Sequence, residues 1–221
     1  MEIIRYAELN AQPWRNGGGA TRELARRPRP AAEAATVDAG RPDSAWDWRV
    51  SIAEVSKAGA FSAFPGMDRV LTVIEGELLL LSVDGAEHPL EKYRPFRFSG
   101  DADSAGALPT GDIRDLNVIT RNGSFKGYTS IIELSKKRAH PVFEGQFGIL
   151  LEGQATVSPG TAGSEPGVAP GRGTAAVTAP AAAVESQALN RYDAVVGSDA
   201  ATPEILGRGF LAVVSIDQVA G

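Results

Sequence analysis

Hydrophobic and polar residues alternate along most of this chain with the two-residue period of a strand. The clearest case is Trp46–Val55, WDWRVSIAEV, where Trp48, Val50 and Ile52 share one face and Arg49, Ser51 and Ala53 share the other. The first face reads as core. The second sets an arginine between small residues and leaves room for a ligand. Residues 59–81, GAFSAFPGMDRVLTVIEGELLLL, organise the rest. Their β-branched and aliphatic run, broken once by Gly76, predicts a hairpin or bulged strand pair with a Glu-Gly turn. Ahead of it Pro65 and Gly66 form a turn that aims Phe64, Asp68 and Arg69 at whatever the following strand encloses.

Further strands are predicted over 2–6 (EIIRY), 20–26, 93–99, 115–121, 128–134 and 210–216. In 115–121 (DLNVITR), Asn117, Ile119 and Arg121 share a face. Pro95 marks 93–99 as an edge strand. Gly17, Gly18 and Gly19 suit only a tight turn, and 28–45, with three prolines and six alanines, reads as a loop. No stretch of helical period exceeds two turns. The pattern therefore predicts an all-β fold of the jelly-roll or cupin-barrel kind with little helix.

An internal repeat divides the chain. Val73-Ile74-Glu75-Gly76-Glu77-Leu78 recurs as Leu150-Leu151-Glu152-Gly153-Gln154-Ala155, and residues 90–96 recur as 189–195. Two tandem β units, 1–134 and 135–221, are the simplest reading, with N-terminal strands free to cross into the second. The second unit carries an insert, 155–184, in which Ala, Gly and Pro make up 18 of 30 residues, and which is expected to form in part a long flexible loop.

Composition narrows the function classes. A chain of 221 residues with 43% hydrophobic content and no cysteine builds a core without disulfides, and it offers no thiolate metal site or cysteine nucleophile. The net charge of −5 and pI of about 5.2, with no basic stripe, argue against a nucleic-acid partner. No apolar run approaches a membrane span and the N-terminus lacks a signal-peptide pattern, so a cytoplasmic protein is expected. His88 and His140, the two histidines, lack ligand-spaced neighbours and are expected to face solvent, which leaves no metal and no cofactor in the reading. Asp101 and Asp103 read as turn caps rather than an acid/base couple.

The arginines are the informative residues. Arg49, Arg69 and Arg121 lie on half-buried strands, where a guanidinium needs a partner. Internal pairing, for instance of Arg69 with Asp68 or Glu54, is one account. A carboxylate-binding pocket is the other, because the guanidinium fork matches a carboxylate. Trp14 and Phe64 fit either core or pocket walls.

Four segments carry a family resemblance: Trp14 to Glu23 (WRNGGGATRE), Trp48 to Ala53 (WRVSIA), Phe61 to Arg69 (FSxFPGxDR) and Asp115 to Arg121 (DLNVITR). Together they resemble the HutD/Ves family. The resemblance implies a bicupin-type fold, a link for the HutD branch to histidine-utilisation operons, and non-catalytic binding of a small metabolite such as N-formylglutamate or urocanate. The expected contacts are Arg49 and Arg69 for carboxylates, Asn16, Asn117 and Arg121 with Asp68 for polar groups, and Trp14 and Phe64 as walls. A metal-independent isomerase or hydrolase is the alternative, with Asp68 as its base. Edge strands of such barrels also offer a route to a homodimer.

Overall fold

The computed structural model describes residues 1–29, 45–160 and 186–219. In chain order its strands are β1 (Glu2–Ile4), β2 (Gln12–Pro13), β3 (Gly19–Pro28), β4 (Trp46–Val55), β5 (Gly59–Ala60), β6 (Met67–Glu75), β7 (Leu78–Val83), β8 (Ala86–Glu91) and β9 (Phe96–Ser99). There follow β10 (Ser104–Ala107), β11 (Ile113–Arg121), β12 (Phe125–Leu134), β13 (His140–Pro141), β14 (Gln146–Pro159), β15 (Gln187–Leu189), β16 (Ala194–Val196) and β17 (Pro203–Gln218). A 3-10 turn, Tyr6–Glu8, follows β1. The all-β expectation holds.

Three antiparallel sheets result. One runs β2-β3-β4-β11-β6-β9, a second β5-β10-β7-β8, and a third β1-β16-β14-β17-β12 with β13 and β15 at its margins. The first two enclose a core of Ala53, Val55, Leu71, Val73, Leu79, Leu81, Leu90, Phe98 and Ile113. The third curls around its own core, which includes Leu150, Val157, Leu189, Ile205 and Leu211. A larger apolar layer joins the two enclosures. Val50, Ile52, Val70, Ile74, Leu116 and Val118 from the first sheet pack there with Phe147, Ile149, Ala212, Val214 and Ile216 from the third. Tyr192 adds a polar clasp, donating its hydroxyl to Glu75 at 2.6 Å, while Arg114 and Arg191 reach the same carboxylate at 2.9 and 3.4 Å. β1 pairs with β16 across from the second half, and β12, ahead of the division expected after residue 134, pairs with β17.

The repeat is present in backbone detail. Gly76 and Gly153 occupy equivalent corners with φ of +83° and +98°, and a Cβ on either would collide with a neighbouring carbonyl oxygen. Tyr93 and Tyr192 both have positive φ, 67° and 71°, and each donates its N–H to the equivalent carbonyl, Val73 at 2.8 Å and Leu150 at 2.6 Å. Left-handed backbone at a tyrosine costs on the order of 1 kcal/mol or more. It persists here because each ring is held in aromatic contact, Tyr93 on Phe210 and Tyr192 on Tyr6.

One expectation is corrected, and the start of the insert is strand. β6 and β7 are not a hairpin: at Gly76 the chain leaves the first sheet for the second. The hairpin is β7–β8, turning at Asp84-Gly85, where both residues have the positive φ that a tight turn matching strand twist requires. Residues 155–159 of the insert are strand, because Ala155 and Val157 alternate into the core and pair with β15 and β17. Most of the loop expected over 28–45 and of the insert lies outside the described residues. Among the described residues no helix is long and apolar enough to cross a membrane.

Because one apolar layer serves both enclosures, they should unfold together. Leu116→Ala, at a fully buried position of that layer, is expected to cost about 3 kcal/mol. A single coincident transition by fluorescence and circular dichroism is the expected outcome. Two separated transitions would show that the enclosures are independent.

Candidate functional site

Strands β4, β11 and β6 are neighbours, and their inward faces set side chains in register. Ile119 lies opposite Arg49 on one side and Arg69 on the other. One step further in, Asn117 lies between Ser51 and Leu71, and beyond that Asp115 lies between Ala53 and Val73. On β9, Phe98 is the partner of Arg69. Strand alternation thus brings two guanidiniums, an amide and a carboxyl onto one inner wall.

Aromatic rings surround the guanidiniums. Phe64 stands against both, its ring centre 5.2 Å from the Arg49 Cζ and 5.1 Å from that of Arg69. Arg49 also faces Trp46 at 5.1 Å, and Arg69 faces Phe98 at 4.9 Å and Phe61 at 5.8 Å. Such rings attract a cation through their π faces but supply no acceptor in the guanidinium plane. Arg69 is 3% exposed and donates a weak hydrogen bond at 3.3 Å from Nη1 to the Ser62 carbonyl. Its Nε has no hydrogen-bond partner among the described residues. Burial pulls its pKa down to about 10, opposed by the charge of Asp115 and assisted by that of Arg49.

Asp115 is 2% exposed and was not among the site residues expected from sequence. Burial lifts its pKa to about 7, against the restraining charge of Arg69. Its Oδ1 and the Oδ1 of Asn117 lack hydrogen-bond partners among the described residues. The signal that could have found it was the alternation itself, since Asp115 shares the face of Asn117 and Arg121.

The other expected residues lie elsewhere. Asp68 occupies the opposite face of β6 and pairs with Arg97 at 3.7 Å, so it is not beside Arg69 and cannot serve there as a base. Arg97 in turn donates to the Gly127 carbonyl. Arg121 is tied to Asp47 at 3.0 Å and to the Trp46 carbonyl at 2.8 Å, an internal pairing. Asn16 is an exposed turn residue whose side-chain oxygen accepts from the Gly18 N–H at 2.9 Å. Trp14 donates to Thr21 and meets Phe61 edge-on at 6.2 Å, so it backs the ring cage rather than lining it. Glu54, offered as a partner for Arg69, pairs instead with Arg22 and Arg114.

Two open hollows of the described surface lie away from the arginines. A groove of about 700 Å³ runs between Lys136, Gln154, Arg191 and Arg208 on the third sheet, and a hollow of about 440 Å³ opens beside Gly19, Glu54, Glu75 and Arg114. The space over Arg49 and Arg69 is filled by the rings of Phe61 and Phe64, carried on the segment between β5 and β6, whose Ser62, Ala63, Pro65 and Gly66 are exposed.

A metal in this architecture would need several histidines. His88, expected in solvent, is half-buried on β8 with its ring tilted against Phe96 at 4.6 Å, and His140, also half-buried, is on β13 of the other enclosure. The described residues hold no group of three or more His, Cys, Asp or Glu placed for a metal ion. The inner wall sets the Arg49 and Arg69 guanidiniums with the Asp115 carboxyl and no imidazole or thiolate, which does not fit a divalent cation.

This double β enclosure has the cupin fold. A cupin 2 conserved barrel domain protein from Leptotrichia buccalis matches 99% of the chain and 96% of its own at a TM-score of 0.53 and 6% identity. The chain belongs to the HutD family, whose model matches residues 6–212. HutD from Pseudomonas fluorescens SBW25 is 25% identical with a TM-score of 0.68 over 99% of both chains. Protein Ves from Citrobacter koseri is 36% identical over 153 residues, 68% of this chain and 72% of the relative. An uncharacterized 21.2 kDa protein from the hutC 3′ region of Pseudomonas putida is 36% identical over 120 residues, 54% of this chain and 57% of that protein.

The raised pKa of Asp115 has a stability consequence. The folded state keeps the proton up to about pH 7, whereas the unfolded chain releases it near 3.8. Stability from this group is therefore full at low pH and is lost as pH rises through that window. Urea unfolding of wild type and Asp115→Asn between pH 4.5 and 7.5 should show the wild type losing ground to the variant as pH rises, by up to roughly 4 kcal/mol. Parallel curves would place Asp115 in a wet environment.

Proposed function

We propose that this protein binds a small carboxylated metabolite between Arg49 and Arg69, without a metal, in the service of histidine utilisation. Membership of the HutD family and the cupin fold support the association with histidine utilisation. The observation that carries the binding reading is Arg69. Its guanidinium is almost wholly buried and, among the described residues, forms no ion pair and leaves its Nε unpartnered. A buried cation of this kind is costly, and a ligand carboxylate on its open edge offsets the cost through parallel charge-assisted hydrogen bonds. Phe64 and Phe98 form the apolar walls and Asn117 a polar contact deeper in. The HutD relative from P. fluorescens was solved in a formate condition, and formate is the smallest carboxylate.

The segment from Phe61 to Gly66 sets the conditions of entry. Its rings cover the arginines while its backbone faces solvent, so binding requires this segment to shift, and the cage rings then close on the ligand. The enzyme alternative has lost the base that the sequence offered, since Asp68 stands on the other face of β6 beside Arg97.

N-formylglutamate and urocanate are the ligands to test by calorimetry, on wild type, Arg69→Ala and the volume-preserving Arg69→Met. Both variants should lose affinity on the order of 10- to 100-fold while remaining folded. Equal affinity for wild type and both variants removes Arg69 from the site.

A further inference from the structure

Two unpartnered acceptors lie deeper in the same wall. Asp115 is flanked in register by Ala53 and Val73, neither of which has a side-chain donor, and the apolar core of Leu71, Leu79 and Leu81 lies around it. Arg69 is the one charged group whose field reaches it. Asn117, two residues along β11 and about 7 Å away at strand spacing, presents a second unpartnered oxygen on the same face. Buried acceptors left without donors are rare in folded proteins, and a set of them on one wall is the negative image of what the wall holds.

Taken with the open edge of Arg69, the wall asks for an acceptor at one end and donors at the other. We infer that Asp115 is a specificity-determining residue of this site, accepting a hydrogen bond from an N–H group on the same ligand whose carboxylate lies on Arg69. The ligand class is a small carboxylate carrying an amide, amine or imidazole nitrogen a few bonds from the acid. A nitrogen donor suits this floor better than a hydroxyl. A hydroxyl offers one hydrogen, whereas an amine or a protonated imidazole offers two or more for the two waiting oxygens. A simple carboxylate fills only the Arg69 end and leaves the floor unsatisfied, which is the condition under which polar sites discriminate strongly.

This inference rests on the carboxylate reading above, and the two are separated by matched probes. Wild type and Asp115→Leu are titrated with N-formyl-L-glutamate against glutarate, and with urocanate against cinnamate. Each pair shares the acid and differs in the nitrogen. The wild type should favour the nitrogen-bearing member of at least one pair by about tenfold or more. Asp115→Leu should abolish that preference while binding the nitrogen-free member within about twofold of wild type, an outcome that a merely disturbed fold does not give. If Asp115→Leu does not fold, Asp115→Asn, which halves the acceptor capacity and removes the charge, carries the test through a reduced preference. A wild type that binds both members of each pair equally, or a variant that keeps the full preference, overturns the inference and leaves the carboxylate reading standing. A wild type that binds none of the four overturns both.

Discussion

Strands β4, β6 and β11 have neither face turned to water. Their outward side chains, among them Val50, Ile52, Val70, Ile74, Leu116 and Val118, are committed to the layer against the second enclosure. Their inward side chains are sealed inside the first. Any polar group on the inner face must then find a partner within the protein or in a ligand, because solvent is reachable on neither side. Most of that face is apolar. Arg49, Ser51, Arg69, Asn117 and Asp115 are among the exceptions, and Arg69, Asn117 and Asp115 each keep at least one polar atom unpartnered among the described residues. The site is a consequence of this double burial: the same residues on a sheet with one wet face would be ordinary surface.

Much of this was legible in the sequence. Alternation in β4 assigned Trp48, Val50 and Ile52 to one face and Arg49, Ser51 and Ala53 to the other, and that division separates the inter-enclosure layer from the inner wall. The repeat of Glu-Gly and of the tyrosine segment is matched by equivalent corners and by two tyrosines in the same left-handed conformation. Proline at 95 correctly marked β9 as an edge strand. What local pattern did not carry was partnership at a distance. Gly76 looks like a hairpin turn within a window of ten residues, yet its geometry is a corner between sheets, fixed by the close approach of Asp112. Arg121 and Asp68 resemble Arg49 and Arg69 in sequence, but Asp47 and Arg97, far along the chain, take them up. Asp115 was left out of the expected site although it alternates onto the face of Asn117, and the register shows it between Ala53 and Val73.

Among the described residues the wall carries no cluster of His, Cys, Asp or Glu placed for a metal ion. The wall sets two guanidiniums, an amide and the Asp115 carboxyl on one face. The ring cage around the arginines does two things. It holds the cations in place through their faces, and it leaves the guanidinium edge as the direction in which an anion can bind. Phe61 and Phe64 lie on the segment between β5 and β6, outside regular strand pairing.

The most direct test is a crystal structure of the protein grown with N-formylglutamate or urocanate. The account predicts the ligand inside the first enclosure, a carboxylate oxygen within hydrogen-bond distance of the Arg69 guanidinium, and the Phe61–Phe64 segment repacked around it. A ligand seated instead in the open groove beside Lys136 and Arg208, with Arg69 and its ring cage unchanged, would contradict it.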